Sequence, residues 1–139
     1  MSYTQKFRNQ HDELLEKVGE LAKLLNEKKL TSDATAARDV LSGLLGELKI
    51  HLAVEDKALY PQLKNCGNHE VVAISIQYQE EMGGIAEFVA NNSKKWPSAY
   101  AIPDDSKGFI EETNQLISAL GNRIKKENDY LYKLADDCL

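Results

Sequence analysis

At 139 residues, 42% hydrophobic and 28% charged, the chain has the length and composition of a single soluble domain with one core, and too few residues for two comfortable domains. A formal net charge of −5 and a pI near 5.2 exclude the basic surface that nucleic acid requires. No apolar run reaches the roughly 18 to 20 residues that span a bilayer, and the opening Met1-Ser2-Tyr3-Thr4-Gln5-Lys6 lacks the apolar core of a signal peptide. Cys66 and Cys138 stand alone and far apart, making neither a disulfide framework nor a zinc motif; a reducing, cytoplasmic setting is the plain reading, and a Cys66–Cys138 bridge is open but without support in the sequence.

Strand signals are nearly absent, and apolar residues recur at spacings of three and four, the mark of amphipathic helices. The spacing predicts a first helix over about Thr4 to Lys28, with Phe7, His11, Leu14, Val18, Leu21 and Leu25 on its inner stripe. Thr31-Ser32-Asp33 supplies N-cap residues for a second helix over about Asp33 to Leu63, whose last turn Pro61 should bend. Its stripe is Leu41, Leu44, Leu48, His51, Glu55 and Leu59. Gly67 suits a left-handed C-terminal cap and Asn68 an N-cap, so a third helix should follow over about His69 to Asn91, with Val71, Ile74, Tyr78, Met82, Ile85 and Val89 inward. An irregular stretch holds Trp96, Pro97 and Pro103, with Trp96 and Tyr100 expected to close one end. Asp104-Asp105-Ser106 opens a fourth helix to about Ala135, over Thr113, Leu116, Leu120, Arg123, Glu127 and Leu131. Long helices with mostly short connections predict an all-α, antiparallel up-down-up-down four-helix bundle, one domain over 1–139.

His11, His51, Glu55, Arg123 and Glu127 occupy stripe positions that elsewhere carry leucine, valine or isoleucine. Burying an unpaired charge is costly, so these groups must be paired or bound to metal. Counted from the turn near Leu30 at about 1.5 Å per residue, His11 and His51 reach the same height in the bundle. The four-residue step from His51 to Glu55 points both at one place, and imidazole with carboxylate suits iron, manganese or zinc. One internal echo supports the placement of the fourth helix: His51-Leu-Ala-Val-Glu55, then Leu59-Tyr60, parallels Arg123-Ile-Lys-Lys-Glu127, then Leu131-Tyr132.

His11, the run His51-Leu-x-x-Glu55-Asp56-x-x-Leu59-Tyr60-Pro61 and the run Arg123-Ile-x-x-Glu127-x-x-x-Leu131-Tyr132 resemble the hemerythrin family, in particular its bacterial HHE cation-binding branch. The resemblance covers nearly the whole chain and implies a four-helix bundle with an oxygen-binding di-iron centre. It implies His11 and His51 as terminal ligands of one iron, and Glu55 and Glu127 as bridging carboxylates. The second iron's histidine positions are taken here by Met82 and Arg123, and Tyr78 takes another place where some members have histidine. A thioether is a poor ligand for a hard oxidised ion, and a guanidinium does not ligate at all. The expected centre is therefore degenerate, with one iron rather than two, or zinc or manganese in its place.

Two readings follow. In the first, the chain is a metal-binding protein that holds a small diatomic ligand such as oxygen or nitric oxide for sensing, or that handles iron. In the second, the bundle is metal-free and serves as a regulatory or interaction module, with the Arg123 fork set between Glu55 and Glu127 in place of the second ion. His11 and His51 then become core histidines bonded to the glutamates. Tyr78 and Met82 are expected as core residues, and Glu80 and Glu81 at the surface, with Glu81 near enough to the stripe to reach the site. Gly83-Gly84 inside a helix reads either as close helix packing or as a void leading to the pocket. Nothing in the sequence supplies a nucleophile with a positioned base or an organic-cofactor motif, so a third reading, an oxidase or peroxidase at a carboxylate-bound metal, ranks last, and neither nucleic acid nor membrane is an expected partner.

Overall fold

Apolar residues spaced for helices fold here into helices almost throughout, and the computed structural model describes residues 3–139. The leader-free reading of Met1 and Ser2 lies outside these residues. The first rod is α1 (Gln5–Leu24). A short helix, α2 (Glu27–Ser32), then crosses to the second rod, which comprises α3 (Thr35–Val54), a π-helical turn (Glu55–Leu59) and α4 (Tyr60–Lys64). The third rod is α5 (His69–Lys95). Two 3₁₀ turns, Ala99–Ala101 and Pro103–Asp105, lead to the fourth rod, formed by α6 (Ser106–Lys126), a second π-turn (Glu127–Leu131) and α7 (Tyr132–Cys138).

Side-chain partners give the directions. Tyr3 reaches Ala58, His11 reaches His51, and Lys17 reaches Glu47, so the first and second rods run antiparallel. Arg123 and Glu81 meet near the middle of the third and fourth rods, and Lys95 and Glu112 near the end where the two are connected, which sets that pair antiparallel as well. Thr4 bonds Asp136 while His11 bonds Asn128, closing the first rod against the fourth in the same sense.

The helix ends follow local chemistry, with two departures from the sequence reading. Asn68 accepts from the backbone N–H groups of Glu70 and Val71, Gly67 takes φ 84°, and Asp105 accepts from Gly108, as cap preferences require. The first helix, however, stops at Leu24 because Asn26 caps a separate helix there, accepting from Lys28 and Lys29. Thr31 and Ser32 therefore lie inside α2, and the cap for α3 falls at Ala34, with Asp33 accepting from the Thr35 N–H.

Pro61 was expected to bend the second rod, yet the irregularity lies just before it, in the π-turn where the Tyr60 N–H reaches the Glu55 carbonyl. The fourth rod makes the same turn, Tyr132 N–H to Glu127 carbonyl, with no proline nearby. Proline is therefore not the common cause. Each four-residue step drifts about 40° round an ordinary helix, and widening one turn offsets that drift. Glu55, Leu59 and Tyr60, like Glu127, Leu131 and Tyr132, thus all stay buried.

The core divides into two apolar clusters. Leu14, Leu21, Leu44, Leu48, Phe109, Leu116 and Leu120, with Trp96, fill the end nearer α2. Phe7, Leu59, Tyr60, Leu63, Leu131 and Tyr132 fill the other. Each fully buried leucine contributes about 1.5–3 kcal/mol. Trp96 packs edge-on against Phe109 and donates its Nε1–H to Glu112, but Tyr100 is exposed and takes no part in closing that end.

The cysteines answer a question that the sequence leaves open. Cys66 and Cys138, 72 residues apart, are joined in a disulfide with Cα atoms 6.1 Å apart, tying the end of the second rod to the end of the fourth. Antiparallel packing brings together thiols that sequence distance separates. Closing so long a loop contributes about 2–4 kcal/mol through the unfolded chain. None of the described helices is long and apolar enough to cross a membrane.

Candidate metal centre

Between the two apolar clusters lies a polar layer. His11 comes from α1, His51 from the last turn of α3, Glu55 and Glu127 from the first residues of the two π-turns, and Tyr132 from the residue that closes the second π-turn. All are buried. His11 Nε2 stands 3.0 Å from His51 Nε2 and 3.2 Å from Glu127 Oε1, and His51 Nε2 stands 3.2 Å from Glu55 Oε1. The Tyr132 hydroxyl oxygen lies 3.1 Å from His11 Nε2 and 2.9 Å from Glu55 Oε2.

The outer ring nitrogens fix the proton count. His11 Nδ1 is 2.8 Å from Asn128 Oδ1, and His51 Nδ1 is 2.6 Å from Gln10 Oε1. An amide oxygen only accepts, so each Nδ1 carries a proton. Burial, together with repulsion from His51, lowers the His11 pKa to about 4 despite the Asn128 bond, so its Nε2 presents a lone pair at neutral pH. Glu55 and Glu127 are hydrogen-bonded to each other, so they share a proton. Burial and the neighbouring carboxylate hold Glu127 well above the ordinary range. Burial alone would raise Glu55, but its neighbours Glu127, His51 and Tyr132 outweigh it and hold it below that range. Glu55 Oε1 and Glu127 Oε2 still have no hydrogen-bond partner. The layer thus holds more acceptors than protons, an arrangement suited to a cation.

The dimensions fit such an ion. Donors held about 2.1 Å from one metal stand about 3 Å apart at right angles, and the contacts above span 2.9 to 3.2 Å. Ligand atoms of His11, His51 and Glu127 all lie within 4.8 Å of one another. The amide bonds at both Nδ1 atoms are the support that ligating histidines receive.

Arg123 is not where it was expected. Its fork does not span Glu55 and Glu127. One terminal nitrogen donates to Glu81 at 3.1 Å, the other to the Tyr60 hydroxyl at 3.0 Å and the Tyr78 carbonyl at 2.8 Å, and only Nε approaches Glu127, at 4.0 Å. The guanidinium lies over the Tyr78 ring, 4.5 Å from its centre. The reason is positional: the side chain is long enough to pass the layer and reach the half-exposed Glu81 on α5, where desolvation is cheaper. Tyr78 is accordingly the bed of the arginine, and its ring also lies 6.5 Å from that of Tyr130. Met82 is buried beside Glu55, lining a cleft of about 150 Å³ with Leu52, Asp56, Tyr60, Gln79, Gly83 and Ala86. A Cβ added at Gly83 or Gly84 would meet nothing within 4 Å, so close packing does not explain these glycines, and Gly83 opens the cleft that leads to Glu55.

Sequence reasoning passed over Tyr132, Asn128 and Gln10. Tyr132 stood in the internal echo, and Asn128 and Gln10 each adjoin a singled-out residue, Glu127 and His11. Their roles cross between rods, which no local pattern reveals. The family model of the hemerythrin HHE cation-binding domain matches residues 3–135. Searches of curated proteins and of solved structures give no significant match.

Proposed function

Since the chain belongs to the hemerythrin HHE cation-binding family, we propose that it is a non-enzymatic metal protein holding one transition-metal ion, iron foremost, through His11, His51, Glu55 and Glu127. The observation that carries this reading is the pair of buried Nε2 atoms 3.0 Å apart, that of His11 presenting a lone pair, beside two glutamates that each keep an oxygen without a hydrogen-bond partner. Two imidazoles and two carboxylates suit Fe(II) or Fe(III), with zinc and manganese as competitors. Arg123 occupies the side where the family would place a second ion, and its positive charge, 4.0 Å from Glu127, supports a mononuclear site. Bound iron would supply a position for a small ligand such as oxygen or nitric oxide. The chain's own residues hold the imidazoles in one tautomer, keep bulk water out, and admit small molecules along the Gly83 cleft. Sensing of such a ligand is the proposed role.

The cytoplasmic setting stands as part of the proposal, beside a Cys66–Cys138 bond that cytosolic thiols tend to open. Alkylation in quenched cells followed by mass measurement reads which form prevails. For the metal itself, protein purified without oxygen should take up one Fe(II) per chain and melt at higher temperature with it. Failure of Fe(II), Zn(II) and Mn(II) alike to bind in stoichiometric amount, or to shift melting, would sink this reading in favour of a metal-free interaction module.

A further inference from the structure

We infer that Tyr132 is a metal ligand, its side-chain oxygen completing the donor set of the two imidazoles and two carboxylates. The inference rests on the proposed metal site and adds a donor that the sequence comparison did not supply. Tyr132 is fully buried, and its oxygen lies 3.1 Å from His11 Nε2 and 2.9 Å from Glu55 Oε2, the same spacing that separates the other donors. One hydroxyl proton cannot serve two acceptors at once, so the contact with His11 brings two lone pairs together and is left without a donor. An ion shared by both atoms accounts for it.

The ring is held in place by two rings of α1. His11 stacks on it with centroids 5.1 Å apart, and Phe7 packs at 5.8 Å. The oxygen is therefore fixed by packing rather than by its hydrogen bonds, as ligating groups in a preorganised site are. The π-turn places it: the Tyr132 N–H closes on the Glu127 carbonyl, so a carboxylate and a phenol separated by five residues face one centre. Charge agrees. Two carboxylates and one phenolate balance a trivalent cation, with the imidazoles neutral and two protons, that of the phenol and that shared by the glutamates, released to water on loading. Tyr60, at the corresponding place in the second rod, gives its oxygen to Arg123 instead and serves as the internal control.

The test is spectroscopic. Full-length protein is loaded with Fe(II) without oxygen and then oxidised, and iron content, visible absorption and resonance Raman are recorded for wild type, Tyr132→Phe and Tyr60→Phe. Expected are about one iron per chain, a phenolate-to-Fe(III) charge-transfer band with tyrosinate ring modes in wild type and Tyr60→Phe, and loss of both in Tyr132→Phe. Iron affinity of that variant should fall at least about tenfold. Iron-loaded wild type without the band, or a band that survives in Tyr132→Phe, overturns the inference and leaves the metal site standing. Wild type that takes up no iron overturns both.

Discussion

The second and fourth rods carry the same device with different contents. Each has a cation or imidazole, a glutamate four residues later that opens a π-turn, a leucine that ends it, and a tyrosine that closes it. In the second rod, His51 is short and stays within the polar layer, 3.2 Å from Glu55. In the fourth, Arg123 is long and leaves the layer for Glu81, Tyr60 and the Tyr78 carbonyl. The tyrosines cross over: Tyr60 serves the arginine of the fourth rod, and Tyr132 serves the glutamate of the second. A repeated backbone feature thus sets where functional groups stand, while side-chain length and charge decide whether a given end of the layer wants a metal or already has its cation.

The comparison breaks most readily at the histidine. His51→Ala should weaken metal binding by more than about a hundredfold, beyond the loss usual for a supporting residue, whereas Arg123→Leu should leave one metal per chain; titration followed by elemental analysis reads both. Next in size is an acid effect on the metal-free protein. His11 protonates at 6.5 when unfolded but only at about 4 when folded. Its burial in the neutral form therefore weakens the fold as pH falls from 6.5 towards 4, by about 3 kcal/mol at most. Glu127 acts with the opposite sign. Its raised value means that the folded state keeps a proton the unfolded state has lost, so this contribution disappears as pH rises through that value. Urea unfolding of metal-free Glu127→Gln across pH separates the two, since the His11 slope should persist between 6.5 and 4.5, above the range where the depressed Glu55 adds its own loss.

Arg123→Leu should cost about 2 kcal/mol, because the Tyr60 hydroxyl and Tyr78 carbonyl lose a buried donor while Glu81, half exposed, regains water. A loss above twice that would mean Glu127 depends on the guanidinium more than 4.0 Å allows. Glu127→Gln keeps a donor for Glu55 and removes the strained acid, so at about pH 8 the metal-free variant should gain about 1 kcal/mol while losing metal affinity. Smallest is Gly83→Ala, where open space around the new methyl predicts a gain of about 0.5–1 kcal/mol with metal uptake unchanged; thermal melts with and without Fe(II) measure it.

The four rods, the caps at Asn68 and Asp105, and the shared height of His11 and His51 could be read from spacing alone, because helical periodicity and cap chemistry are local properties of the chain. The same holds for polar residues on apolar stripes, which marked His11, His51, Glu55 and Glu127 as a buried set. What lay beyond such reading was any fact that depends on how far a side chain reaches once rods are packed. Arg123 passing the layer, Tyr132 entering it from the fourth rod, Asn128 and Gln10 each serving a histidine on another rod, and Cys66 meeting Cys138 across 72 residues all belong to this class. Periodicity determines which face of a helix is buried. Only the relative rotation and offset of packed helices decides which atoms on those faces touch, and no single helix carries that information.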